Sequence, residues 1–259
     1  MSHPPGIDLH SRRPLAEQVA DVLRQRIESG NLPPGSRLPA EQEIAELYGI
    51  SRDTVRRALT TLTQEGLIRV ARGKGRMVRE HSRIPWWPQR FEALSTRQDT
   101  PETGLDAWAA DIAQQGSAPR QDVEVKIVEA PALVSARLGL DPGTSVVSRR
   151  RIRFVNDLPN QIADSYYPMD VAVGSPIMTP GDVTIPGGLM AAAGHPQVRF
   201  VDEIVGRLAD AEERQRLNLP PVTAVAEHVR TGFDKAGRPV RVIITIGERM
   251  TIMYESDGQ

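Results

Sequence analysis

The chain has 259 residues, with 32 Lys+Arg against 33 Asp+Glu and a formal net charge of −1, which leaves room for one large domain or two of medium size. Its 39% hydrophobic and 25% charged content is that of a soluble globular protein, and no apolar run approaches the roughly 20 residues that span a bilayer, so no membrane partner is expected. Cysteine is absent and the five histidines (3, 10, 81, 195 and 228) are scattered, which excludes disulfides, thiolate metal sites and a local histidine motif; no metal or cofactor is expected, and the start, MSHPPGIDLHSRR, lacks a signal peptide's apolar core, so a cytoplasmic location is expected.

Leu15, Val19, Val22, Leu23 and Ile27 recur at helical spacing. Pro14 suits a first helical position and Gly30 a C-terminal stop, which predicts a helix over about 14–29. The turn-rich NLPPGSRLP follows, and Ile44, Leu47 and Tyr48 mark the buried side of a short helix over about 40–48. Gly49 ends it. Ser51 can cap a third helix that buries Val55, Ala58, Leu59 and Leu62 and stops at Gly66. LIRV, ARGKG and RMV then read as strand, glycine turn and return strand.

Charge is sorted along this segment. Residues 14–48 carry three basic and six acidic residues, net −3, whereas residues 52–79 carry eight basic and two acidic, net +6. Three short helices and a hairpin, with helices two and three joined only by Gly49–Ser51, is the order of a winged helix-turn-helix, whose third helix enters the DNA major groove. Arg52, Thr54, Arg56 and Arg57 lie away from the apolar seam or on its border, so the positive stripe loads the face that would meet phosphates and base edges.

Residues 14–78 resemble the DNA-binding domain of GntR-family transcription regulators, on GNLPPGSRLPAE and SRDTVRRALTTL above all. The resemblance implies its contacts residue by residue. Arg37 would reach a phosphate, and Glu41 and Gln42 would stand beside the DNA backbone. Ser51, Arg52, Thr54 and Arg56 would be recognition-helix contacts, with Arg52 and Arg56 best suited to reading guanine. Arg72, Gly73 and Lys74 would form the wing tip near the minor groove; Arg57 is not a reliable contact in the family and reads equally well as a solvated charge.

Residues 79–120, with their prolines, charges and the Trp86–Trp87 pair, read as an interdomain linker in which the tryptophans anchor to one domain; 105–116 can form a short helix. From 121 the pattern is α+β. DVEVKIVEA alternates as a strand, PALVSARLGLDPG is a helix closed by a turn, and TSVVSRRRIRFVNDLPNQIADSYYP is two strands around an Asn-Asp turn. EIVGRLADAEERQRLNL reads as mainly helical, and residues 225–254 as a three-strand meander.

This half resembles the UTRA effector domain of the HutC branch, on ALVSARLGLDPGTSV, RIRFVNDLP, SYYP and RTGFDKAGRPV. The resemblance implies an α+β chain: a winged helix-turn-helix over 1–78, a linker over 79–120, and over 121–259 a six-stranded antiparallel sheet with helices, shared with chorismate lyase. It implies a homodimer that binds double-stranded DNA at a palindromic operator, with a small-molecule effector in the second domain. Arg151 and Arg153, two apart on one strand and so on one face, would hold an anion. Ser165, Tyr167, Glu227 and Phe233 match further pocket positions. Sugar-phosphate-binding relatives carry Glu where this chain has Ala163, and Tyr-Arg-Gly-Asp-Arg where it has TIGER at 245–249. A different anionic or less polar effector is therefore expected, or none. A repressor released by its effector is the leading reading; a domain that only dimerises and an enzyme like chorismate lyase are the alternatives, the last without any catalytic constellation in the sequence.

Overall fold

Residues 7–8, 11–71, 73, 75–79, 85–89, 107–181, 183, 185, 187–248 and 250–256 are described by the computed structural model. The chain divides into two units, residues 1–82 with 219–223, and residues 83–218 with 224–259. Arg72 and Lys74 lie outside the described residues, as do 90–106 of the stretch read as a linker.

In the first unit α1 (Leu15–Glu28), α2 (Glu41–Tyr48) and α3 (Arg52–Gln64) precede a hairpin of β1 (Ile68–Ala71) and β2 (Gly75–Val78). Val19, Leu23, Ile44, Val55, Leu59, Leu62, Ile68 and Val78 form one buried core that all five elements share. Each fully buried leucine there contributes about 1.5–3 kcal/mol relative to exposure. Gly49 closes α2 at φ 65°, a left-handed conformation that costs glycine nothing. Arg24 of α1 grips the Glu65 carboxylate with Nε and Nη2 at 3.0 and 2.6 Å, fastening the far end of α3.

The second unit is built on a six-stranded antiparallel sheet of order β4-β5-β6-β9-β8-β7, with β4 Pro119–Glu129, β5 Ser145–Val155, β6 Leu158–Pro168, β7 Arg199–Leu208, β8 Ala224–Phe233 and β9 Pro239–Gly247. The β5–β6 hairpin turns on Asn156 and Asp157, both at positive φ, as a tight two-residue turn requires. Helices α5 (Ala132–Leu138) and α8 (Ala211–Leu217) cover one face; their docking is fixed by Arg137 on Glu203 and by Arg216 on Asp164. The opposite face carries Val147 and Tyr167 and is covered near β5 by the one-turn helices α6 (Met169–Ala172) and α7 (Leu189–Ala192) and the 3-10 turn Pro176–Met178.

Three readings of the sequence change here. EIVGRL is not helical: it is the second half of β7, and only Ala211–Leu217 is helix. The meander has two strands, β8 and β9. Its third, β10 (Thr251–Ile252), pairs in parallel with β3 (Pro85–Trp86). Within 79–120, β3 and α4 (Ala107–Gln114) are elements of the second unit; Trp108 and Ile112 of α4 pack with Val155, and Trp86 joins them.

Candidate functional site

Each unit presents one candidate site. In the first, α2, the three-residue turn and α3 place a polar face opposite the Val55/Leu59/Leu62 seam. Arg52 and Arg56 are exposed one helical turn apart, on the same side of α3. Ser51 caps the helix, accepting from Thr54 N–H at 3.2 Å, and its hydroxyl lies 2.9 Å from that of Thr54. Ser51→Ala should cost about 1 kcal/mol of stability in this unit through loss of the cap. Thermal melts read by helical circular dichroism check it; an unchanged midpoint would remove the capping role.

Glu41, the first residue of α2, lies between the wing and α3. Its carboxylate accepts from Arg76 Nη2 of the wing at 3.2 Å and lies 3.7 Å from Arg56 Nε of α3. It therefore links the third helix and the wing strand through one hydrogen bond and one longer ion pair. Gln42 donates to Glu46 at 2.9 Å and stays exposed on α2. Arg37, exposed ahead of α2, bridges to Met77, and its guanidinium lies beside Gly75, where a Cβ would come within 3.5 Å of Nε. Gly73 keeps the wing turn open at φ 74°. Arg57 pairs with Asp53 at 2.9 Å while largely exposed, as a solvated charge would.

In the second unit, strand register sorts the residues. On the face away from α5 and α8, one row across β5, β6, β9, β8 and β7 reads Arg149, Ser165, Ile243, Arg230 and Asp202. The side chains two residues along face the same way, giving Arg151, Ala163, Thr245 and His228 in the next row. Arg151, only 8% exposed, donates to Ser165 Oγ at 3.1 Å and to Ala163 O at 3.4 Å. No carboxylate among the described residues pairs with it. Arg241 of β9 donates to the same Ser165 Oγ at 3.3 Å, so two guanidinium groups converge on one hydroxyl from either side of β6.

Arg149 is buried beside them, donating to the carbonyls of Ile177, Thr179 and Gly181 at 2.7–2.8 Å. Tyr167 lies next to this cluster, fully buried. Burial pushes its phenol up, but Arg241, Arg151 and Arg149 together outweigh burial and bring it below its ordinary value. The surroundings thus favour negative charge at this spot.

Arg153 shares the face but sits among aromatic rings. Its guanidinium stacks 4.9 Å from the Trp108 ring centre and 5.5 Å from that of Trp86. Glu227 is not brought to the site: strand alternation turns it to the helix-covered face, where Arg207 joins it to Glu213 of α8. Phe233 lies beyond the bulge at Gly232, at the strand end under Arg199, 3.6 Å from its ring centre. Ile246 likewise faces the helices, in register with Glu227, whereas Ala163 and Thr245 of the two departures belong to this face. Arg149 and Arg241 escaped the sequence reading; the signal for Arg241 was a lone cation inside the apolar run PVRVIITIG.

A second polar cluster adjoins the first. Asp202 receives Nε and Nη2 of Arg230 at 2.6 and 2.7 Å and lies 2.7 Å from His228 Nε2. Arg230 also donates to Pro88 O at 2.5 Å, and Trp86 Nε1 donates to His228 Nδ1 at 3.4 Å. Residues 85–89 are thereby fastened onto the sheet. Burial pushes the Asp202 carboxyl up, yet its bonds to Arg230 and His228 prevail and hold it well below the usual carboxylate range.

The comparisons with known proteins agree with both halves. Residues 15–78 match the family described as bacterial regulatory proteins, gntR family, and residues 114–247 match the UTRA domain. The HTH-type transcriptional repressor NagR of Bacillus subtilis (strain 168) is 31% identical over 239 residues, 92% of this chain and 86% of NagR. An uncharacterized HTH-type transcriptional regulator of Rhizobium meliloti (strain 1021) is 31% identical over 231 residues, 87% of each chain. A crystal structure described as a putative GntR-family transcriptional regulator superposes with TM-score 0.56 at 26% identity, covering 95% of this chain and 99% of the other. With a helix-turn-helix in front and relatives that run alongside it through both units, the chain belongs to the gntR family of bacterial regulatory proteins and is a DNA-binding transcription regulator with a UTRA domain.

Proposed function

We propose that the protein is a homodimeric repressor that binds a palindromic operator and is released by a small anionic effector held on the sheet face of its UTRA domain. Two copies would present two recognition helices to half-sites one helical turn apart, each reading bases through Arg52, Thr54 and Arg56. Arg37, Gln42 and the wing would sit on phosphates, and Glu41 would set the angle between helix and wing. Release follows if the effector prefers a domain arrangement that no longer fits the operator. The repressor's sign is supported by the likeness to NagR.

The observation that carries the effector reading is the buried Arg151 guanidinium, whose acceptors are a serine hydroxyl and a backbone carbonyl. A buried cation with neutral partners is costly, and an incoming anion relieves that cost. Arg151→Gln should leave operator affinity within about twofold while raising the effector concentration needed for release by tenfold or more, given about 1.5–3 kcal/mol for a hydrogen bond to a charged group. Operator binding titrated with fractionated cell metabolites, for both proteins, checks this. Release of the variant at the wild-type concentration would rule Arg151 out as the sensor. A wild type that no fraction releases would leave the UTRA unit as a dimerising domain alone.

A further inference from the structure

We propose that Gln197 determines effector specificity: its side-chain amide accepts a hydrogen bond from an uncharged O–H or N–H group that the effector carries at the end away from its anion. The inference rests on the anionic-effector reading above. Gln197 stands in the segment that leads into β7 and is 4% exposed. Its Oε1 is buried and has no hydrogen-bond partner among the described residues. The large majority of buried polar side-chain atoms have a partner, so an exception calls for a reason.

The sheet leaves room for this amide. Alternation along β8 puts Gly232 on the same face as His228 and Arg230. A Cβ at Gly232 would come within 1.5 Å of Gln197 Nε2 and 2.5 Å of its Cδ. Gly232 is not at positive φ, so any residue could adopt its backbone conformation. What the position requires is the lack of a side chain, because the amide lies in that space. The backbone on both sides of Gln197 is held: Val198 N–H donates to Phe233 O and His195 N–H to Met190 O, each at 2.9 Å. The amide is therefore set in place before a ligand arrives, which lowers the cost of binding one.

Register sets the amide beside the cationic cluster. Gly232 pairs with Arg241 of β9, whose guanidinium donates to Ser165 Oγ on β6 and lies 5.7 Å from the Tyr167 ring centre. Crossing the sheet from Ser165, one meets Arg241 and then the amide over Gly232, two strand spacings or about 9–10 Å away. The two ends have opposite chemistry. Guanidinium groups only donate, whereas Oε1 only accepts. A ligand with acceptor oxygens alone suits the first end and leaves the second unmet. A ligand with an anion at one end and an O–H or N–H at the other suits both. A cationic donor is disfavoured by the charges of Arg149, Arg151 and Arg241, which leaves an uncharged one.

Matched probes that differ by one hydroxyl test this on the full chain, with affinities read from the rise of the melting midpoint with probe concentration. The probes are inorganic phosphate, pentyl phosphate with its terminal-hydroxyl analogue, and hexanoate with its terminal-hydroxyl analogue. In the wild type a hydroxylated probe should bind at least about fivefold more tightly than its parent, as one hydrogen bond allows. Gln197→Met keeps the bulk and removes the acceptor. It should bind both members of that pair equally, with its affinity for the parent within about twofold of wild type. Gly232→Ala fills the amide's seat and should lose the preference in the same way, with Gln197 itself still present. If the wild type binds the probes and Arg151→Gln does not, but the hydroxyl confers no preference or the preference survives in Gln197→Met, the amide does not read the ligand and the anion site stands. If no probe shifts the wild-type midpoint, inorganic phosphate included, the anionic-effector reading falls and takes this inference with it.

Discussion

Asp202→Ala should destabilise the sheet unit by about 3–5 kcal/mol, the cost of leaving a buried cation without its partner. Arg230 is 5% exposed and gives two of its donors to that carboxylate; without it the guanidinium keeps the Pro88 carbonyl as acceptor while still out of water. His228 Nε2 loses its closer partner in the same step and keeps only the Tyr254 hydroxyl, 3.3 Å away. Asp202→Asn retains a neutral acceptor and should cost less. All three tryptophans, at 86, 87 and 108, lie in this unit, so denaturant unfolding followed by tryptophan fluorescence reports it separately from the DNA-binding unit. An Ala variant within about 0.5 kcal/mol of wild type would show that the cluster is not structural support. The acid dependence follows from the same pair. The folded-state pKa of Asp202 is depressed, so its contribution is complete above its unfolded value of about 3.9 and is lost as pH falls below that. The wild-type midpoint should therefore decline more steeply below about pH 4 than that of Asp202→Asn.

The parts of the fold that sequence shows well are those whose signal is local. The helix-turn-helix has an apolar seam of period 3.6, a glycine at the end of one helix and a serine at the start of the next, all within some 25 residues. Arg151 and Arg153 were correctly set on one face, because alternation alone decides that. What distinguishes them is not local: Arg151 meets Ser165 of the next strand, whereas Arg153 meets tryptophans from β3 and α4, which a reading strand by strand left in a linker. The pairing of β3 with β10 joins residues 166 apart and only two long, and no pattern within either segment announces it. β7 was misread because its apolar residues lie on both faces, so the alternation that marks a half-buried strand is missing, and Ile204 and Leu208 fall at helical spacing instead.

Arg52→Ala and Arg56→Ala should each weaken operator binding by about 1–3 kcal/mol, a loss of roughly 5- to 150-fold, and each should blur base preference at one position of the half-site. Arg52 is the first residue of α3, where the free N–H groups of the helix add their own positive field, and Arg56 follows one turn later on the same face. Neither is committed elsewhere at high cost. Arg56 lies 3.7 Å from Glu41 and 4.0 Å from Asp53 with its side chain 57% exposed, and surface pairs of that kind are worth about 0–1 kcal/mol. A guanine edge with two acceptors can replace them with a net gain. The alternative role, neutralising a phosphate, makes a different prediction: uniform weakening on all sequences and a salt slope lowered by about one. Binding-site selection from a randomised library, run with wild type and both variants at one fixed salt concentration, separates the two. A consensus that stays the same in both variants, with only the overall affinity reduced, would assign these arginines to the backbone and leave base reading to other residues of α3.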